Sequence, residues 1–166
     1  MALAAMSVPV IALAATSALA KTRHGKVSDT RERGREGSTR RLQEVVDAIR
    51  ARLGIERAVG VTVVDRNPYF VSVIAPREKD GPFTVEVEET MLNLLADDEL
   101  EAALAHELGH VWVFTHHPYL QTELLANQIA LKTVSRDALM RVYQKVWERN
   151  GMKGDVTAFL GAAPPQ

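Results

Sequence analysis

The sequence predicts an α+β domain on three observations. From Ser38 onward, Leu42, Val45, Val46, Ile49 and Leu53 fall at helical spacing. Short extended runs come next, and after them the apolar positions return to helical spacing as far as about residue 150. Helix, then strands, then helices, without repeated strand–helix units, is the order of an α+β fold. The expected architecture is an N-terminal helix, a small mainly antiparallel sheet of about three strands, a long apolar helix and two further helices.

The 166 residues suit one small domain. A formal net charge of −1 gives no bulk electrostatic reason to expect nucleic acid or an anionic membrane as a partner. The absence of cysteine excludes thiolate zinc sites, disulfides and a cysteine nucleophile. Residues 1–20 form an apolar run without a charged side chain and end Ser17-Ala18-Leu19-Ala20. Small residues at Ala18 and Ala20 suit a signal peptidase, so a signal peptide cut after Ala20 is expected, with a membrane anchor as the alternative. Either way the remainder is expected outside the cytoplasm, periplasmic or secreted. Residues 21–37 carry glycine and charge with almost no large apolar side chain, the composition of a flexible linker. The domain itself is expected over 38–150, followed by a loose tail over 151–166.

Within the domain, Ser38 or Thr39 is the expected N-cap of the first helix and Gly54 its end. The extended runs are Val61–Asp65, Tyr69–Ala75 and Phe83–Glu88, separated by Asn67-Pro68 and by the stretch from Pro76 to Pro82. Alternation in Phe83-Thr-Val85-Glu-Val87-Glu gives one buried and one wet face. Tyr69–Ala75 is the strand expected along the site, where an edge can hold an extended peptide by main-chain hydrogen bonds. Met91–Leu95 is a short helical bridge, and Asp97 or Asp98 caps the long apolar helix. Pro118 places 115–119 in a loop. Two helices then run from about Leu120 to Val134 and from Arg136 to Arg149, the latter capped by Ser135.

The long helix contains Ala105-His106-Glu107-Leu108-Gly109-His110, an H-E-x-x-H sequence. Histidines four apart share a helix face one turn from each other, so His106 and His110 can converge on one ion. Zinc that keeps an open position lowers the pKa of water to roughly 7, and a nearby carboxylate such as Glu107 can take the proton. Ala102 to Ala105 before the motif and Val111 to Phe114 after it are mostly apolar. Polar side chains in such surroundings need coordination or pairing, because burial without it costs several kcal/mol.

Zinc needs a third protein ligand, and the sequence offers two kinds. Glu123 stands one helical turn before Asn127, so its carboxylate can bind metal while the amide fixes a neighbouring ligand. His116 stands ten residues after His106, the spacing of a third histidine in H-E-x-x-H-x-x-G-x-x-H. That arrangement needs glycine to break the helix, and here Val113 occupies the position. Glu123 is therefore preferred over His116, with His117 a lesser third choice. Ala126 and Ala130 are small enough to let the Glu123 helix pack closely on the first.

His106-Glu-Leu-Gly-His110 followed by Glu123-x-x-Ala-Asn127 resembles the gluzincin metallopeptidases. It is most similar to the small soluble relatives of the HtpX and CAAX-prenyl-endopeptidase family, including the minigluzincins, over roughly residues 40 to 135. The resemblance implies a zincin-like fold, one zinc held by His106, His110 and Glu123, and Glu107 as general base. It departs at Asn127, where that family usually has aspartate; Glu-x-x-Ala-Asn is more like the ImmA/IrrE metallopeptidases. The short gap between His110 and Glu123 leaves no room for transmembrane hairpins.

The function expected from this is a zinc-dependent endopeptidase acting on a peptide or protein substrate. Neither nucleic acid nor membrane is an expected partner, unless residues 1–20 stay uncleaved. His116, His117, Tyr119, Arg136 and Tyr143 are the candidates for a donor to the developing oxyanion. The competing classes are a silent zinc-helix scaffold and a zinc amidase on cell-wall peptides.

Overall fold

The structure, a computed structural model, describes residues 27–152 together with Thr157 and Leu160. The signal peptide expected over 1–20 lies outside the described residues. The elements are α1 (Val27–Arg52), β1 (Val59–Val64), β2 (Val71–Ile74), β3 (Phe83–Glu88), α2 (Met91–Leu94), α3 (Asp97–His116), α4 (Glu123–Ala130) and α5 (Arg136–Arg149). This is the α+β order that the sequence predicts. Among the described residues, no helix is long and apolar enough to cross a membrane.

The sheet is mixed, with strand order β1-β3-β2. The antiparallel component is the β2–β3 pair, while β1 and β3 run parallel. The topology follows from where the chain turns. β2 and β3 are consecutive and pair as a hairpin, but β3 returns between β2 and β1, which forces it to run alongside β1. Register stacks Val61, Val85 and Val73 in one row and Val63, Val87 and Val71 in the next. All six are buried. Alternation thus puts the β-branched side chains on one face, and burial of each valine stabilises by about 1.5–3 kcal/mol.

Against this sheet lie α1 and α3. α1 contributes Leu42, Val46, Ile49 and Leu53, all buried, and ends at Gly54, whose φ of +66° is the left-handed conformation that closes helices. The helix begins at Val27, so the stretch from 27 to 37 is helical rather than the expected linker. Composition misled because this segment is held by charge, not by apolar burial. Arg31 Nη2 donates to Glu89 Oε2 (2.6 Å) and Asp65 Oδ1 (3.0 Å), and Arg35 pairs with the same two carboxylates. Within the stretch expected as a loose tail, Leu160 is held in place. Leu160 is buried in the core, and Arg136 donates to its carbonyl at 3.3 Å.

β2 is one of the two edge strands, and its entry is fixed by side-chain contacts. Asn67 is buried, accepts from Tyr69 N–H (3.0 Å), and donates through Nδ2 to Ser72 Oγ (2.9 Å) and Glu86 O (3.1 Å). Phe70 has φ +65°, a conformation that costs a side-chain-bearing residue about 1–2 kcal/mol. Its ring is buried beneath the Arg149 guanidinium at 4.6 Å, and its carbonyl accepts from Glu88 N–H at 2.7 Å. These contacts offset the strain and fix where β2 starts.

α3 is capped by Ala96 rather than by Asp97 or Asp98, which occupy its first turn, where negative charge complements the helix dipole. Glu99 reaches back to accept from Ala96 N–H (2.8 Å) and also takes hydrogen bonds from Lys145 Nζ (2.5 Å) and Arg141 Nε (3.1 Å). This carboxylate, 4 % exposed, pins α5 to the start of α3. Burial pushes the Glu99 carboxyl up, but hydrogen bonds from Lys145 and the Ala96 N–H outweigh it and leave the group below its ordinary value of 4.5. A depressed folded value stabilises above the unfolded value, and that contribution is lost as pH falls through the folded one. Glu99→Gln is therefore expected to cost about 1.5–3 kcal/mol at pH 7. Urea unfolding of metal-free protein should show the gap from wild type narrowing as pH drops below 4.5.

Candidate metal centre

α3 carries His106, Glu107 and His110 into the interior. Glu107 and His110 are buried, and His106 is nearly so at 14 % side-chain exposure. The sequence expectation that this helix continues past Val113 holds, since α3 runs to His116. Glu123 opens α4. Thr122, not foreseen as a cap, accepts from Leu125 N–H through its side chain (3.1 Å) and starts the helix there. Glu123 thus sits in the first turn, where a carboxylate is favoured.

The two helices meet at Gly109 and Ala126. A Cβ on Gly109 would lie 2.3 Å from the Ala126 carbonyl oxygen, so only glycine permits this approach. The contact brings Glu123 Oε2 to 3.2 Å from His106 Nε2 and Oε1 to 3.7 Å from His110 Nε2. The two Nε2 atoms face each other at 3.1 Å. The potential ligand atoms of His106, His110 and Glu123 all lie within 4.8 Å of one another. Among the described residues this is the cluster that could hold a metal ion.

The surrounding hydrogen bonds test whether a cation fits. Asn127, fully buried, presents Oδ1 to His106 Nδ1 at 2.8 Å. An amide oxygen only accepts, so Nδ1 carries the proton and Nε2 keeps its lone pair, directed at His110 and Glu123. Glu123 Oε1 and His110 Nδ1 are buried with no hydrogen-bond partner. An unpartnered carboxylate oxygen beside two imidazole lone pairs is what a divalent cation would satisfy. The donor set, two nitrogens and one carboxylate, suits zinc with an open position.

Electrostatics divide the two carboxylates. Burial pushes Glu107 up to about 7, reinforced by the Glu123 charge; His106 and the Val73 backbone N–H act the other way. Burial also raises Glu123, but the His106 and His110 imidazoles beside it outweigh burial and hold the group at about 2. Burial lowers both histidines. For His106 the Glu123 hydrogen bond and the Glu107 charge reverse the direction upward, whereas His110 stays lowered. Gln121 is also near His110, an amide that nothing in its sequence setting marked out.

Val73 lies on β2, the strand expected to run along the site. Because Phe70 faces β3, strand alternation turns the Val71 and Val73 backbone groups to the outer edge, and Val73 N–H meets Glu107 there. The remaining candidates fall elsewhere. His116 stacks on Trp112 (4.1 Å between centroids) and bonds the Trp112 carbonyl. His117 is exposed, Tyr119 is 97 % exposed, and Arg136 is bound to the Leu160 carbonyl. Tyr143 does reach the cluster: its hydroxyl donates to Asn127 Oδ1 at 3.0 Å.

The model for a family described as peptidase family M48 matches residues 36–165. The chain is also similar to a protein described as a protease HtpX homolog from Pyrobaculum islandicum, 39 % identical over 74 residues. That match covers 42 % of this chain and 19 % of the relative, so the chain spans about a fifth of the relative's length. No solved structure matches.

The helix contact yields a direct test. Alanine is favoured over glycine inside a helix by about 1 kcal/mol, so propensity alone would make Gly109→Ala stabilising. Overpacking costs about 1–3 kcal/mol, and a clash with a backbone oxygen cannot be relieved by a rotamer change. Gly109→Ala is expected to lower the melting temperature of the metal-free chain and to weaken metal uptake, as α4 is pushed off α3. An unchanged or higher melting temperature with full metal uptake would refute the contact.

Proposed function

The chain belongs to peptidase family M48, and on that premise we propose that it is a zinc-dependent endopeptidase with His106, His110 and Glu123 as the metal ligands. The observation that supports this most is the convergence of those three side chains across the Gly109–Ala126 contact. When bound, zinc supplies Lewis acidity, acidifying water and polarising the scissile carbonyl. Glu107 acts as the base, taking the proton of the attacking water and returning it to the leaving amine. In the metal-free chain burial holds this carboxyl well above the usual carboxylate range, which suits a group that must take up a proton and give it back. Glu123 stays ionised beside the histidines, and Asn127 keeps the His106 proton on Nδ1.

Substrate is proposed to lie as an extended peptide along the outer edge of β2, paired with the Val71 and Val73 carbonyls, since the Val73 N–H meets Glu107 and the Val71 N–H donates to the Tyr69 carbonyl at 2.7 Å. This edge adjoins Glu107, so a peptide bonded to it passes the base. The extracytoplasmic address proposed for the protein rests on the apolar run over 1–20 and its Ala18-x-Ala20 site.

Metal analysis of wild type, Glu123→Ala and His116→Ala tests the ligand set. One zinc per chain is expected in wild type and His116→Ala, and little in Glu123→Ala; loss only in His116→Ala would refute the assignment. For the base, Glu107→Gln is expected to keep its zinc while peptide cleavage falls by about 100-fold or more. Undiminished cleavage would remove Glu107 from the mechanism.

A further inference from the structure

The two histidines of the centre are not held alike. His106 Nδ1 meets Asn127 Oδ1 at 2.8 Å, whereas His110 Nδ1 is buried without a hydrogen-bond partner among the described residues. The other nitrogen of His110 is the one turned to the cluster, with Nε2 at 3.1 Å from His106 Nε2 and 3.7 Å from Glu123 Oε1. A neutral imidazole carries one proton, so a metal on Nε2 places that proton on Nδ1. The His110 side chain is 2 % exposed, and an N–H that deep, without an acceptor, bears the full loss of its hydration.

An acceptor is at hand. Gln121 lies beside the His110 imidazole, and both ends of its amide, Oε1 and Nε2, are buried without a hydrogen-bond partner. A buried amide satisfied at neither end is rare in a folded chain. The next residue, Thr122, caps α4 by accepting from Leu125 N–H (3.1 Å), so the turn that delivers Glu123 to the histidines delivers Gln121 with it.

We propose that Gln121 is a positioning residue of the metal centre, whose Oε1 accepts the His110 Nδ1 proton when Nε2 takes the metal. This rests on the zinc site proposed above. The metal decides which end of the amide is used, because only the oxygen can meet an N–H. Neither end is hydrogen-bonded elsewhere, so no existing bond opposes that orientation. The pairing satisfies two orphaned groups at once and fixes the ring that presents Nε2. Gln121 acts through His110 and not on the reacting atoms.

The test compares wild type, Gln121→Met and Glu123→Ala as full chains. Methionine keeps the length of the side chain and removes the acceptor. Replacing a buried, unpaired amide by an apolar group removes an unsatisfied pair of atoms, so the metal-free Gln121→Met chain is expected to melt at the wild-type temperature or above it. Zinc affinity, measured by competition with a chromophoric chelator, is expected to move the other way. Partners that orient a ligand histidine are typically worth roughly 10- to 100-fold in metal affinity, and a loss of about 10-fold is expected here. A lower melting temperature alongside weaker binding would mean that Gln121 merely holds the loop, and undiminished binding would mean that the amide is idle; both overturn the proposal. If Glu123→Ala loses zinc while Gln121→Met keeps it, the positioning role fails alone. A wild-type chain that takes up no zinc would overturn the zinc site itself, and this proposal with it.

NMR of the zinc-loaded chain supplies a signature that loop packing would not. The His110 Nδ1 proton is expected to show a hydrogen-bond scalar coupling to the side-chain carbonyl carbon of Gln121. In Gln121→Met that proton is expected to move upfield, while the His106 Nδ1 proton, held by Asn127, stays in place. Movement of both protons alike, or of neither, would overturn the assignment.

Discussion

The close approach of α3 and α4 at Gly109 and Ala126 is the constraint on which the site depends. α4 has only eight residues, too few to be stable as an isolated helix. Its position is set by what it packs on, with Ala126 and Ala130 fully buried against α3. A larger residue at Gly109 would lift α4 at the turn that carries Glu123. Since Glu123 already sits 3.2 and 3.7 Å from the two histidines, a shift of one ångström is enough to take its carboxylate out of reach. The glycine in His106-Glu-Leu-Gly-His110 is thus as much part of the centre as the residues that touch the ion.

The site then pushes two carboxylates, one on α3 and one on α4, in opposite directions. Glu107 faces apolar surroundings and a single backbone N–H, so loss of water dominates and its proton is held more tightly. Glu123 loses water too but gains two histidines, and becomes the fixed negative charge of the site. Titratable groups pushed apart by their environments are how one site supplies both a proton carrier and a permanent anion. The separation comes from placement: one carboxylate lies between the histidines in sequence and points toward β2, the other arrives from a second helix onto their nitrogens.

Much of this was legible in the sequence, and the exceptions have physical causes. The H-E-x-x-H spacing and an apolar helix around it place two side chains on one face without further information, and Ser135 and Gly54 mark helix ends by local chemistry alone. Val113 in place of a helix-breaking residue argued against His116 as a ligand, and in the structure that histidine is stacked on Trp112. The start of α1 was not legible, because Arg31 and Arg35 are ordered by Asp65 and Glu89, thirty or more residues away in sequence. Charge pairs of that range leave no periodic signature. The parallel β1–β3 pair was hidden for a related reason: strand order is decided by where β3 inserts, not by the composition of any one strand. Tyr143 stood among five candidates that sequence could not rank, since a tyrosine at a helix-packing position reads the same whether or not its hydroxyl has a partner.

The uncharged residue at 127 is consistent with the charge already present. Glu107 and Glu123 bring up to two negative charges into the buried cluster with His106, His110 and Asn127, and a divalent cation would match them. A third buried carboxylate at 127 would exceed that balance and add its own desolvation cost, several kcal/mol for an ion without full compensation. An amide avoids that cost but gives up an acceptor that works in either orientation. The hydroxyl of Tyr143, from α5, lies 3.0 Å from the same amide oxygen and adds no charge. α5 is itself tied to the start of α3 through Glu99, so the surroundings of the His106 imidazole are built from three helices at once.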